Sequence, residues 1–439
     1  MRDIVITAMV FATIPYILRN PWYGVLTWSW LSYMNPHRLA WGFAYSMPFA
    51  QIVAIVLLIS MVMSSEKKRV PTNTLFTLWV VFLVWLAICQ TQALTPEAAT
   101  EQLIKILKIQ LVTLVTMLLM NSFDRLKQLV WVIVFSIGFY SVKGGVFTVM
   151  TGGGYHVFGP DGSDIQENNA LAVAILMIIP FMVYLYKYPP MPWVKKIMPY
   201  CIFLSLASVI GSQSRGAILA IGAVAAFFWW KSGSKILTSV VFVILATFAL
   251  MFMPASWHER MASISDYKQD SSAMERLNAW QYSFNVANAR LTGGGLNSWT
   301  LVNYRNYGVP TQQAFAAHSI YFSVLNDSGW PGLILFLGLL LTMWRQLARV
   351  IRVTENHPDR GEYNFLARML QISILAFMAG GAFLSLAYFD LAWHLMAMTI
   401  VLTHLTRDFS DVPRQEAKVG RRSSRTYPRG RARRATGRP

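Results

Sequence analysis

At 439 residues, with 55% drawn from AVILMFWYC, only 13% charged and a mean hydropathy of +0.43, the chain lacks about half the charge that coats an ordinary soluble protein. Lipid is the simplest cover for the missing surface, which excludes an ordinary globular enzyme. The 38 Lys and Arg against 20 Asp and Glu give a net charge of +18, and ten of the cations lie between Arg414 and Arg438. Residues 407–439, with Pro, Gly and Ser interspersed, read as a disordered basic tail on an anionic membrane face, and nothing else supports nucleic-acid binding.

In chain order, residues 1–35 hold two short apolar runs, 4–18 and 22–34, parted at Arg19-Asn20-Pro21, where proline disfavours helix in the residue before it. They count as one crossing plus a half-helix. Asp3 and the lack of a small-residue cleavage site speak against a signal peptide. A membrane helix needs ~20 mostly apolar residues, and candidates follow at 43–63, 74–92, 108–121, 129–150, 170–187, 197–211, 216–230, 236–253, 319–344, 366–387 and 391–405. Twelve crossings, an even number, put Arg2 and the tail on the same side. Cys89 and Cys201 both lie in apolar runs and suggest neither a disulfide framework nor a metal site.

Short-loop Lys and Arg prefer the cytoplasm. Lys67-Lys68-Arg69, Arg125 with Lys127, Lys187 with Lys195-Lys196, Lys231 with Lys235, and Arg345, Arg349 and Arg352 fall in every second loop. Residues 93–104, 151–169, 212–215 and 254–317 therefore face outward. The expected fold is all-α: a polytopic membrane domain over 1–406 with about twelve transmembrane helices and a long periplasmic loop, 254–317, containing short helices. Within that loop Leu277, Trp280, Phe284 and Ala287 have helical period, and the run Leu291 to Gly295 breaks it.

No Walker loop, zinc-binding HExxH, nucleophile elbow or Rossmann fingerprint occurs in a fitting context. Gly152-Gly153-Gly154 and Gly293-Gly294-Gly295 read as flexible turns. The outer face gathers cations: Arg215, then Arg260, Arg276, Arg290 and Arg305. Arg215 stands out because it lies in a polar island, residues 211–216, where a membrane cation is costly unless it is paired or lines a cavity. His318 opens the next span; helical spacing sets Phe322, Leu325 and Gly329 on its face and Asp327 near the opposite side. A histidine at that boundary accepts a proton at neutral pH, or is simply a hydrogen-bonded structural residue. Asp390 and His394, four apart, are placed to face each other, and Asp390 equally fits an N-cap. Asp161 and Asp164 keep a metal-assisted chemistry open.

Ser214-Arg215-Gly216, Glu275-Arg276 with Trp280, the glycine cluster ending at Gly295, and His318-Ser319 followed by Gly329-Trp330-Pro331-Gly332 resemble, in that order, the O-antigen ligase and polymerase superfamily. The start, Met1-Arg-Asp-Ile, is similar to the subgroup of O-glycosylation ligases associated with exosortase systems. The resemblance covers residues 1–406 and implies an inverting glycosyl transfer at the periplasmic face of the inner membrane, with no metal and no cofactor. The implied donor is a glycan on undecaprenyl diphosphate. The implied acceptor is a sugar hydroxyl of the lipid A core, or in relatives another glycan or a protein side chain. Arg215 and Arg276 match the diphosphate-binding positions and His318 the catalytic one; Glu275, Arg290, Arg305 and Ser214 are supporting candidates. A polymerase would use the same residues. A transporter needs ionisable residues at mid-membrane, and Asp327 is the one acid well inside an apolar span.

Loop charge generates the first prediction: cysteines introduced at Ser271 and Ser424 label from outside sealed cells only at Ser271. Outside labelling at Ser424 overturns the topology.

Overall fold

The computed structural model describes residues 1–231, 233–254, 271–309, 311–355, 357–407 and 409. Among the described residues every regular element is helical. Helices α1 (Arg2–Arg19) and α2 (Trp22–Met34) are parted at Asn20-Pro21. At ~1.5 Å rise per residue, α2 is only roughly 20 Å long. Then come α3 (Phe49–Met63), α4 (Thr74–Gln90), α5 (Pro96–Leu119), α6 (Phe123–Met150), α7 (Asn168–Lys187), α8 (Pro192–Gly211), α9 (Arg215–Lys231) and α10 (Lys235–Phe252). The hydrophilic stretch holds α11 (Ser271–Ala289) and short α12 (Leu301–Asn306); α13 (Ile320–Thr354), α14 (Gly361–Gly381) and α15 (Asp390–Leu405) follow.

Among the described residues, six helices, α5, α6, α7, α8, α13 and α14, are long and apolar enough to cross a bilayer, while α3, α4 and α9 are apolar but shorter. A count of twelve crossings therefore leans on the shorter helices too. The loop expected over 93–104 is mostly the opening turns of α5. Pro96 takes its first helical position and Glu97 favours its N-terminal dipole, a polar start that hydropathy does not register.

α7 is the centre of the bundle, buried almost throughout from Ala170 to Leu185, which is why its sequence is apolar on every side. It packs against α6, α8, α9 and α14. Small residues let neighbouring backbones close in. A Cβ on Gly145 of α6 would stand 2.0 Å from Leu204 O of α8, and the Ser141 and Ser205 hydroxyls bond at 2.8 Å. Outward-facing Ile55, Ile59, Val62, Phe135 and Phe139 are exposed, as lipid-facing residues are. Asp390 and His394 each turn to α2: the Ser32 hydroxyl donates to Asp390, and Tyr33 OH and His394 Nδ1 lie 2.5 Å apart.

The expected continuous span 319–344 is broken. At Gly329 the backbone takes φ 66° and ψ −171°, interrupting α13 just before Pro331. A break inside a bilayer frees carbonyls that water does not reach, so protein groups must take them up. Asn326 O accepts the Gly294 N–H at 2.7 Å, and Ser328 O accepts Trp85 Nε1–H at 2.8 Å. The turn 291–295 is thus wedged into the break. A Cβ on Gly293 would lie 2.4 Å from Asn326 O, and one on Gly329 2.1 Å from Leu291 O. Both glycines also have positive φ, the left-handed region that glycine alone enters freely. The turn read as flexible is instead pinned on its other side by the end of α4 and the loop after it: Leu94 N–H donates to Gly294 O at 2.8 Å, and Leu296 N–H to Gln90 Oε1 at 3.1 Å.

Gly329→Ala therefore forces backbone apart in an unfavourable conformation and should destabilise the protein by about 2–4 kcal/mol. Gly338, with nothing within 4 Å of its added Cβ, is the control. Thermal unfolding in detergent should lower the midpoint for Gly329→Ala and not for Gly338→Ala; equal midpoints refute the wedge.

Candidate active site

The polar island between α8 and α9 folds into a tight turn. Gln213 sits buried in the left-handed region at φ 53° and donates from Nε2 to Gly153 O at 3.0 Å. Asn168, at the start of α7, donates from Nδ2 to Ser212 O at 2.7 Å. Ser214 then caps α9, its hydroxyl accepting the Ala217 N–H at 3.2 Å. Arg215 consequently occupies the first helical position, where the α9 dipole favours an anion. Gly216 follows because a Cβ there would press on Phe383 at 3.1 Å.

Arg276 and Trp280, four residues apart on α11, share one helical face. The Trp280 indole donates to Ala317 O at 2.7 Å and stacks on Phe322, with ring centroids 4.8 Å apart and planes within 7°. Tyr304 OH donates to Phe315 O at 2.6 Å. These two anchors hold the backbone leading to His318, which is half-buried at φ 43°. Histidine in the left-handed region is uncommon and strained, and such residues cluster at functional sites. The helix begins only at Ile320 with Ser319 as its N-cap. The helical spacing expected from His318 to Phe322, Leu325 and Gly329 therefore does not apply.

Arg215 and Arg276 line one small cavity of about 60 Å³ with Asn169, Ser214, Gly216, Phe383 and Leu384. Two guanidinium groups from separate elements thus bear on a recess of few atoms. His318 belongs to the same electrostatic neighbourhood: burial lowers its pKa below 6.5, Arg276 lowers it further, and Glu167 and Glu275 oppose the shift. Desolvation and a nearby cation both disfavour imidazolium, so His318 is neutral at neutral pH and able to accept a proton.

The other expected residues divide. Arg290 is engaged with backbone, Nε donating to Gly293 O at 2.9 Å and Nη2 to Gln92 O, so it fastens the glycine turn rather than facing the cavity. Arg305 ends α12, exposed. Arg260 lies outside the described residues. Asp164 pairs with Lys105 at 2.5 Å while Asp161 accepts from Gln166 at 3.4 Å, so the two carboxylates have separate partners. Asp327 is buried and accepts from Asn326 at 3.2 Å and Tyr388 at 3.1 Å. Asn169, Phe383 and Leu384 had no signal in sequence except that Asn168-Asn169 opens an otherwise apolar helix.

Residues 1–189 match a family of unknown function, DUF5935, and residues 200–337 match the family described as O-antigen ligase. No curated protein matches the chain. Arg215, Arg276 and His318 all fall within 200–337; Asn169 comes from the first segment, and Phe383 and Leu384 from neither.

Site-resolved diethylpyrocarbonate modification, which requires neutral imidazole, should give His318 a midpoint below pH 6.5. Arg276→Gln removes a cation that disfavours imidazolium and should move the midpoint upward. A midpoint at or above 6.5, or one that Arg276→Gln leaves in place, contradicts the electrostatic arrangement.

Proposed function

From the match of residues 200–337 to the O-antigen ligase family, we propose that this multi-pass membrane protein is an inverting glycosyltransferase. It moves a glycan from undecaprenyl diphosphate to a hydroxyl of the lipid A core, at the periplasmic face of the inner membrane. The observation that carries the reading is the convergence of Arg215 and Arg276 on one recess at the N-terminus of α9, with neutral His318 beside Arg276.

The acceptor oxygen attacks the anomeric carbon from the face opposite the diphosphate. As that bond forms, the bond from anomeric carbon to phosphate oxygen breaks, and its electron pair leaves with the diphosphate. Arg215 and Arg276 bind the leaving oxygens, where charge grows, and so stabilise the transition state more than the ground state. Their forks suit phosphate in a way that a lysine point charge does not. His318 takes the acceptor proton, an assistance typically giving ~10²- to 10⁴-fold. Donor and acceptor alike are hydroxylated or phosphorylated groups that arrive from the membrane plane.

The test incubates purified protein with undecaprenyl-diphosphate glycan and lipid A core. Arg215→Lys and Arg276→Lys should each slow transfer by roughly one to two orders of magnitude, from the loss of one charge-assisted contact. His318→Gln should be nearly inactive at every pH. The wild-type rate should fall on acidification with a midpoint below 6.5, because the base is lost as His318 protonates. Lysine variants at the wild-type rate make the arginines mere solvated cations. A glutamine variant near wild type removes His318 as the base, and glycan that lengthens on the carrier instead of reaching lipid A core makes the enzyme a polymerase.

A further inference from the structure

A cavity of about 290 Å³ lies between α6 and the segment that joins α6 to α7. Tyr140, Lys143, Gly144 and Phe147 line it as one stripe of α6, spaced i, i+3, i+4 and i+7. Gly144 brings the joining segment close, because a Cβ there would collide with Val157. That segment supplies His156, Phe158 and Asp161, and Arg38 comes from the turn after α2. The Tyr140 hydroxyl donates to Met34 O at 2.9 Å, so its ring serves as wall. The segment is also held in shape: Gly159 N–H donates to Gln166 O and Gly162 N–H to Gln166 Oε1, both at 2.9 Å.

The cavity and the recess at Arg215 share an anchor. Asn168 Nδ2 donates to Ser212 O at 2.7 Å, in the turn that places Arg215, and lies 3.0 Å from His156 Nδ1. Gln213 of the same turn reaches Gly153 O at 3.0 Å, so both hollows sit at one end of the bundle. The lining combines two chemistries. Phe147 and Phe158 are 40% and 63% exposed, and Phe158 stacks on His156, with ring centroids 6.2 Å apart and planes within 26°. Beside these rings stand the carboxylate of Asp161 and the guanidinium of Arg38, which lies over the Tyr45 ring at 4.5 Å. A lipid tail matches the rings but not the charges, and a headgroup phosphate is repelled by Asp161. A sugar ring matches both. Its C–H face rests on an aromatic ring, while its hydroxyls, each a donor and an acceptor, suit a carboxylate and a guanidinium fork. The volume is near the ~300 Å³ at which ligand pockets begin, which suits a short saccharide unit.

We propose that this cavity is a saccharide subsite, which takes a sugar unit of the lipid-linked glycan with its C–H face on Phe158 and its hydroxyls on Asp161 and Arg38. The subsite rests on the glycosyl-transfer reading and adds to it the place where the sugar is recognised, apart from the arginines that meet the diphosphate.

The experiment takes the full chain in mild detergent and measures by native mass spectrometry its affinity for two probes: undecaprenyl diphosphate bearing the glycan of the cells that carry this chain, and undecaprenyl diphosphate alone. The readout is the ratio of the two affinities. Wild type should favour the glycan-bearing carrier by roughly 10-fold, as hydrogen bonds to charged groups contribute. Phe158→Leu keeps an apolar side chain but loses the ring face, and should lower the ratio roughly 3- to 10-fold. Asp161→Ala should lower it by a similar factor, whereas Phe158→Tyr should keep it. Arg215→Lys should weaken both probes and leave the ratio in place. Melting midpoints equal to wild type are the control for folding. A ratio unaltered by both Phe158→Leu and Asp161→Ala overturns the subsite, as does equal affinity of wild type for the two probes. Wild type that binds neither probe overturns the lipid-linked donor, and the subsite with it.

Discussion

Inside a bilayer a backbone carbonyl without a donor is expensive, by several kcal/mol, and α13 contains two that its break at Gly329 exposes. Most of what is distinctive in this fold follows from how they are answered. The N–H of Gly294 and the indole of Trp85 reach Asn326 O and Ser328 O, so the turn 291–295 is stitched into the helical bundle. A glycine on each side lets the two backbones meet. The stitch fixes the C-terminal end of α11, and therefore fixes what α11 carries.

α11 carries Arg276 and Trp280. Because they share a face, the indole that grips Ala317 also sets the distance between Arg276 and His318. The cation and the histidine then act as one unit: each stays where the other needs it, and the charge of one tunes the proton affinity of the other. Arg215 reaches the same recess by a separate route, through the Asn168, Ser212 and Gln213 turn that orients the first turn of α9. In the proposed reaction these two independently anchored cations meet the leaving phosphate already in place, so no reorganisation is needed as charge develops.

Sequence made the helical runs legible because apolar length is a strong signal; Arg215 and His318 stood out as polar residues at the rims of apolar spans, whereas Arg276, inside the hydrophilic stretch, was singled out as an outer-face cation and by resemblance. It failed where hydropathy is blind. The polar opening turns of α5 read as a loop, since Pro96 and Glu97 speak only through capping. The break in α13 was hidden inside an apolar run, although Gly329-Trp330-Pro331-Gly332 carries its chemistry. The partners of Asp390 and His394 were out of reach, because Ser32 and Tyr33 lie more than three hundred positions away in sequence. Phe383 and Leu384 resemble any lipid-facing pair until the fold sets them against Gly216.

One further consequence lies in the amide of Asn168. It belongs to the segment matching the family of unknown function, yet it donates across to Ser212 in the segment matching the ligase family, and its neighbour Asn169 lines the recess with Arg215. The site is therefore a seam between two modules rather than the property of one. Chimeras that exchange residues 1–189 between relatives inherit a working recess only if the incoming module presents a side-chain donor at the same register.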